Sequence, residues 1–225
     1  MAAAMTHPTP FPNSTSANFN TLAASAVASA PPLVNKPSLI EYKNWRFLIH
    51  DAPTNANIDS YIAVLKKRHC IVVVRACEPT YDKSALLRSG IRVVELPFSD
   101  GEAPPDSMIN DWLKLCREVF DEESNANGHV STNEPQNSPV NDVENVGSHK
   151  KAIAVHCVAG LGRAPVLVAI ALIEQGLAPF DAIAYIRKKR RGAINTRQLR
   201  YIESYKVRGV AKGKSGSGKS DCVIM

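Results

Sequence analysis

Apolar residues recur along this chain in short blocks whose period changes from two to about 3.6 and back. Trp45-Arg46-Phe47-Leu48-Ile49 predicts a strand. After it, Ile58, Tyr61, Ile62 and Leu65 fall at helical spacing behind Asn57, a residue suited to cap a helix. Cys70-Ile71-Val72-Val73-Val74 is a β-branched run of the kind buried in a parallel sheet. A short helix over 83–88, closed by Gly90, and a strand over 91–96 follow. From Asp106 a longer helix carries Ile109, Trp112, Leu113, Cys116, Val119 and Phe120 on one side. The strand 152–156 leads into an apolar helix over 164–175, with Pro165 in its first turn and Gly176 able to close it. Helices from Phe180 and Thr196 complete the pattern. Strands alternating with helices predict an α/β fold: a central, mostly parallel sheet with helices on both sides.

Two segments lack any period. Residues 1–38 are rich in Ala, Ser, Thr, Asn and Pro and predict a disordered extension. Residues 122–150 are rich in Asn, Ser, Glu and Val and read as a disordered surface insertion in a domain spanning 39–208. Residues 209–225 form a basic, flexible tail. In 225 residues, 44% hydrophobic and 21% charged, this organisation leaves one globular core.

The formal charge of +6 is uneven. Between 187 and 220 twelve lysines and arginines stand against Glu203 alone, which favours an anionic partner. The cluster Lys188-Lys189-Arg190-Arg191 lacks interleaved aromatics, so a phosphate-attracting rim fits it better than nucleic-acid binding. Five widely spaced cysteines without a Cys-x-x-Cys pair argue against a disulfide scaffold or a zinc site and for a reducing compartment. No apolar run reaches the roughly 18 residues a membrane span needs. The start lacks the basic region of a signal peptide and the glycine of a myristoylation site. Residues 213–220 match the nucleotide-binding P-loop pattern but have neither the strand before nor the helix after that it requires, so no nucleotide is expected.

The chemistry concentrates at His156-Cys157-Val158-Ala159-Gly160-Leu161-Gly162-Arg163, between a strand and a helix. A phosphate dianion needs many donors converging from one side. A tight loop at a helix N-terminus supplies backbone N–H groups and a positive dipole end. Gly160 and Gly162 permit unusual backbone angles and close approach, and Arg163 can grip two phosphate oxygens. The same field favours a Cys157 thiolate, a strong nucleophile. His156 is expected to fix the loop rather than to attack. Attack at phosphorus also needs an acid for the leaving oxygen. Asp100 lies just after a predicted strand, at the sheet edge the Cys157 loop shares.

Over about 39–208 the chain resembles the phosphatases of regenerating liver, the prenylated branch of the protein tyrosine phosphatases. The resemblance is carried by Tyr42-Lys43-Asn44, Arg46-Phe47-Leu48-Ile49, Asn55-Ala56, Cys77-Glu78, Thr80-Tyr81-Asp82, Pro97-Phe98, Asp100-Gly101, the stretch 155–168 and Arg190-Arg191-Gly192-Ala193. It implies the cysteine-phosphatase fold, with no cofactor and no metal. Cys157 is implied as nucleophile, Asp100 as general acid, and Arg163 with the backbone of Val158, Ala159, Gly160, Leu161 and Gly162 as the phosphate cradle. Ala164 stands where most relatives carry a hydroxyl that helps expel the thiolate, which implies slow turnover of a phosphocysteine intermediate. Cys77 matches the family's backdoor cysteine, able to pair reversibly with Cys157. Leu96 and Ser99 replace the family's tryptophan and aspartate.

Cys222-Val223-Ile224-Met225 reads as a prenylation box favouring farnesyl, with the basic tail as the second membrane signal. The expectation is a phosphatase for phosphotyrosine proteins or phosphoinositides at the cytoplasmic face of plasma or endosomal membranes, with a cytoplasmic pool. The alternative implied by the resemblance is a binding module for magnesium-transport mediators of the cyclin M family, with Arg191 at the interface. A sulfurtransferase or arsenate reductase fits less well, because Asp100 precedes Cys157 in the chain.

Overall fold

The apolar runs assemble into a sheet ordered β1-β2-β5-β3-β4, formed by β1 (Ser38–Tyr42), β2 (Trp45–His50), β3 (Cys70–Arg75), β4 (Arg92–Glu95) and β5 (Ala152–His156). The computed structural model describes residues 33, 35–121 and 150–208. Most of the 1–38 extension, the insertion up to 149, and the tail with Cys222 and the 213–220 pattern lie outside the described residues. The predicted parallel sheet is present: β2, β5, β3 and β4 run parallel, and β1 joins β2 antiparallel at one edge. The sequence reading did not assign β1. Its five residues carry only Leu39 and Ile40 as an aliphatic signal, and its register with β2 comes from a hairpin whose turn residue Lys43 takes a left-handed φ of 53°.

Alternation along each strand builds two cores. Phe47, Ile49, Val72, Val74, Ile153 and Val155 face α3 (Asp106–Phe120) and α4 (Arg163–Glu174). Leu48, Val73, Ala152 and Ala154 face α1 (Ile58–Lys67) and α2 (Ser84–Arg88). Helices α5 (Pro179–Lys189) and α6 (Thr196–Ser204) pack outside α4, so α4 is buried from Arg163 to Ile173 and explains why its sequence is apolar all round. Trp112 of α3 locks the two helices by donating its indole N–H to the Leu167 carbonyl at 2.7 Å. Asn57 precedes α1 as expected but makes no side-chain cap; its Oδ1 accepts from the Thr54 amide at 2.7 Å instead.

The parallel register brings the C-terminal ends of β2 and β5 together, with His50 opposite His156. Their rings stack with centroids 5.0 Å apart. Tyr81 Oη lies 2.9 Å from His156 Nε2, and His156 Nδ1 lies 3.2 Å from the Cys157 carbonyl. A carbonyl can only accept, so Nδ1 carries the proton and Nε2 accepts from Tyr81. By the same reasoning His50 Nδ1 donates to the Asp51 carbonyl at 2.7 Å. Burial pushes His50 down to about 4 and His156 down to about 3 from an ordinary value of 6.5. Both rings are therefore neutral in the fold, whereas the unfolded chain protonates them near pH 6.5. The unfolded state binds the extra protons between those values, so stability is full above about pH 6.5 and is lost as pH falls toward 4. Urea unfolding across that window should show a falling midpoint. His50→Gln should remove about one proton's worth of that slope; an unaltered slope would show that His50 does not carry it.

Candidate active site

Strand β5 is buried along its whole length and ends at His156, so the chain must turn at Cys157 before α4 begins. Cys157 is 3% exposed. Gly160 takes a left-handed φ of 67°, and a Cβ there would come within 2.4 Å of the His50 carbonyl oxygen and 2.5 Å of Arg190 Nη2. Only glycine meets both demands. Gly162 has φ −112° and ψ −88°, a pair outside the helical and extended regions. Space is short there as well: a Cβ would sit 3.2 Å from Gln198 Nε2.

Four successive carbonyls of the loop are held from outside by three separate parts of the fold. The Val158 carbonyl accepts from the Ala52 amide at 2.8 Å and the Leu161 carbonyl from the Ile194 amide at 2.7 Å. Arg190 donates through Nη2 to the Ala159 carbonyl at 2.9 Å and through Nε to the Gly160 carbonyl at 2.6 Å. In a planar trans peptide the next N–H points opposite the carbonyl. Residues 159–162 therefore turn their N–H groups inward, and none of these amides donates to another group among the described residues. The result is a ring of donors over Cys157, continued by the N-terminus of α4.

Arg163 opens α4 and is 8% exposed. Its Nη1 donates to the Phe98 carbonyl at 3.2 Å, and its Nε lies 3.3 Å from Asp100 Oδ1. The second contact has ion-pair distance without hydrogen-bond alignment, which leaves Nε unpaired in the buried network. Asp100 is 76% exposed along its side chain and sits on the loop after β4, as the shared sheet edge predicts. Glu102 on the same loop pairs with Arg197 of α6. Asp100, Cys157, the loop, Arg163, Asn195 and Gln198 enclose a cavity of about 280 Å³.

Three neighbours support this cavity, and two of them went unrecognised in the sequence. Gln198 is fully buried; its Oε1 and Asn195 Oδ1 form a reciprocal cap at the start of α6, leaving Gln198 Nε2 without an acceptor among the described residues. The spacing Asn-x-x-Gln was the available signal. Arg190 is the second, and here the structure corrects the view of Lys188-Lys189-Arg190-Arg191 as a uniform rim. Arg190 is 7% exposed and clamps the loop from behind, while the other three are exposed. Its position four residues after Ile186 and seven after Ile183 continues the buried face of α5, a period hidden by its basic neighbours. Burial works against the Arg190 charge, and Asp51 offsets this. The third neighbour is Cys77. It is 1% exposed, follows Ala76, whose amide donates to the His156 carbonyl at 2.8 Å, and so lies beside the loop. Burial pushes its thiol up, opposed by the Arg163 guanidinium. Both Cys77 and Cys157 are free thiols.

Comparisons with known proteins agree with this geometry. The model of the protein-tyrosine phosphatase family matches residues 107–207. The chain is 46% identical over 195 residues to protein tyrosine phosphatase type IVA 3 of Bos taurus, covering 85% of this chain and 98% of that protein. It is 42% identical over 201 residues to a probable protein tyrosine phosphatase type IVA A of Dictyostelium discoideum, covering 89% and 99%. Among solved structures, a putative protein tyrosine phosphatase from Leishmania major shares 37% identity at a TM-score of 0.62, over 76% of this chain and 99% of that one. A cysteine and an arginine in one amide-lined loop, with an aspartate at its mouth, are thus found in a chain that belongs to the type IVA protein tyrosine phosphatases, the phosphatases of regenerating liver.

Proposed function

We propose that this chain hydrolyses phosphotyrosine-type monoesters through a phosphocysteine intermediate, with slow release of the enzyme in the second step. The observation that carries the reading is the outward anchoring of four successive carbonyls, which leaves the loop amides free to bind the phosphate above Cys157. Arg163 adds two further donors. The Cys157 thiolate attacks phosphorus; the S–P bond forms as the ester P–O bond breaks, and Asp100 gives its proton to the leaving oxygen. Asp100 then takes a proton from water as that water attacks phosphorus and the thiolate departs. Gln198 Nε2, buried at the cavity wall and without an acceptor among the described residues, can orient the water through its N–H. Ala164 is fully buried next to Arg163 and offers no hydroxyl to the departing thiolate.

With an aryl phosphate as substrate, Cys157→Ser should abolish turnover by at least about a thousandfold, and Asp100→Asn should slow it by about a hundredfold. Ala164→Ser should raise kcat by up to about tenfold, the equivalent of one hydrogen bond to the thiolate. Retention of full activity by Cys157→Ser would overturn the mechanism. An unchanged kcat in Ala164→Ser would place the slow step elsewhere.

Cys77 supports a redox extension of the same proposal. Buried beside the Cys157 loop, it can form a disulfide with that thiolate when a peroxide accepts the two electrons. Peroxide treatment should inactivate the protein reversibly, and Cys77→Ser should make that inactivation irreversible by thiols.

A second reading, docking to cyclin M mediators of magnesium transport, is favoured by the rim of the cavity. Val158 is 58% exposed and Leu161 37%, an apolar mouth beside the exposed Arg191. Arg191→Ala should weaken capture of a cyclin M protein while aryl phosphate hydrolysis continues; equal capture by both forms would remove this reading.

A further inference from the structure

Directly behind one wall of the active-site cavity lies a second groove of about 320 Å³. The two share Ala159 and Leu161 as that wall. The rest of the groove's lining is four cations, Lys36, Lys189, Arg190 and Arg191, with Asn35 and Ser38 and no carboxylate. It is built rather than incidental. The Ser38 hydroxyl donates to the Lys189 carbonyl at 3.0 Å, which ties the chain beside Lys36 to the end of α5. Arg190 Nη1 lies 3.5 Å from the Lys36 carbonyl while its other nitrogens hold the loop. The backbones bearing Lys36 and Lys189 are thereby fixed on either side of one groove.

Neither Lys36, Lys189 nor Arg191 has a carboxylate partner among the described residues. Asp51, held by Tyr61 and Asn35, offsets the buried Arg190. Three unneutralised cations around a concavity repel one another, and an anion bound between them relieves that repulsion. The basic track continues into an adjoining depression that Lys36 and Lys189 share with Arg68. Positive charge thus runs through three adjoining depressions, from Arg163 through the groove to Arg68, and such a succession suits an extended chain better than a compact ring.

We propose that this groove is a second phosphate-binding site, so that the preferred substrate is a peptide carrying a second phosphorylated residue near the one hydrolysed. This rests on the phosphatase reading above and names the substrate class of that site. Because one loop separates the two anion positions, the second phosphate belongs about two or three residues away, at roughly 3.4 Å per extended residue.

The test uses one phosphotyrosine peptide and a series in which a phosphoserine is added one to four residues to either side. Wild type should show kcat/KM about tenfold higher for the best doubly phosphorylated peptide, and the ratio should shrink as salt rises. Combined Lys36→Glu and Lys189→Glu should bring the ratio to about one, whereas Lys189→Arg should keep it. Fluorescence anisotropy with the Cys157→Ser protein measures the same preference as binding. It therefore still reports on the groove if no peptide is turned over and the proposed chemistry fails. No preference in wild type, or a preference that survives the double charge reversal, would overturn the proposal. So would loss of binding to phosphoinositide vesicles in the double variant with the peptide preference intact, since the groove would then face a membrane.

Discussion

Backbone amides bind an oxyanion strongly only when their own carbonyls are satisfied elsewhere, and at 158–161 that condition is met by donors from three places in the fold. Ala52 arrives from just after β2, Ile194 from the segment after α5, and Arg190, which caps α5, serves two carbonyls. The loop is therefore not a stable shape in isolation. It is the shape left when β2, β5 and α5 are packed around it. Preorganisation of this kind means that the donors need no rearrangement when a phosphate arrives, which is where electrostatic catalysis gains its strength.

The same arrangement explains the neutral histidine pair. His50 and His156 occupy the two strand ends that the parallel register forces together, directly beneath a loop dedicated to negative charge and beside the buried Arg190. A second or third positive charge there would have no water to solvate it. Burial keeps both rings neutral, and neutrality fixes their tautomers. The proton on His156 Nδ1 is directed at the Cys157 carbonyl, and Tyr81 completes the chain on the other nitrogen. The histidine next to the nucleophile thus acts on the backbone of the loop rather than on phosphorus.

Much of this was visible in the sequence, for identifiable reasons. The β-branched run at 70–74 and the all-apolar helix after Arg163 announce a buried parallel sheet and a central helix, because burial on every side leaves no polar face to misread. Cys157, Gly160 and Arg163 were legible because their spacing has a chemical purpose within seven residues. Arg190 and Gln198 were not. Each acts across about thirty residues or more on a loop whose position depends on tertiary packing, and each resembles its surroundings, a buried arginine among surface lysines and a glutamine in a polar helix. Strand β1 escaped for a related reason, since an edge strand of five residues is stabilised by its partner rather than by its own pattern.

Arg190 also links the chemistry to the surface around it. Its side chain is consumed by the carbonyls of Ala159 and Gly160, yet Lys189, the last residue of α5, and Arg191, in the turn beyond, remain at the surface. A single buried position at the end of α5 is therefore flanked by uncommitted cations on the far side of the very loop it supports. Any change that moves the end of α5 shifts the loop carbonyls and the basic groove together. Recognition of charge beyond the scissile phosphate and alignment of the amides that bind that phosphate are thereby parts of one mechanical unit, with Ala159 and Leu161 as its common wall.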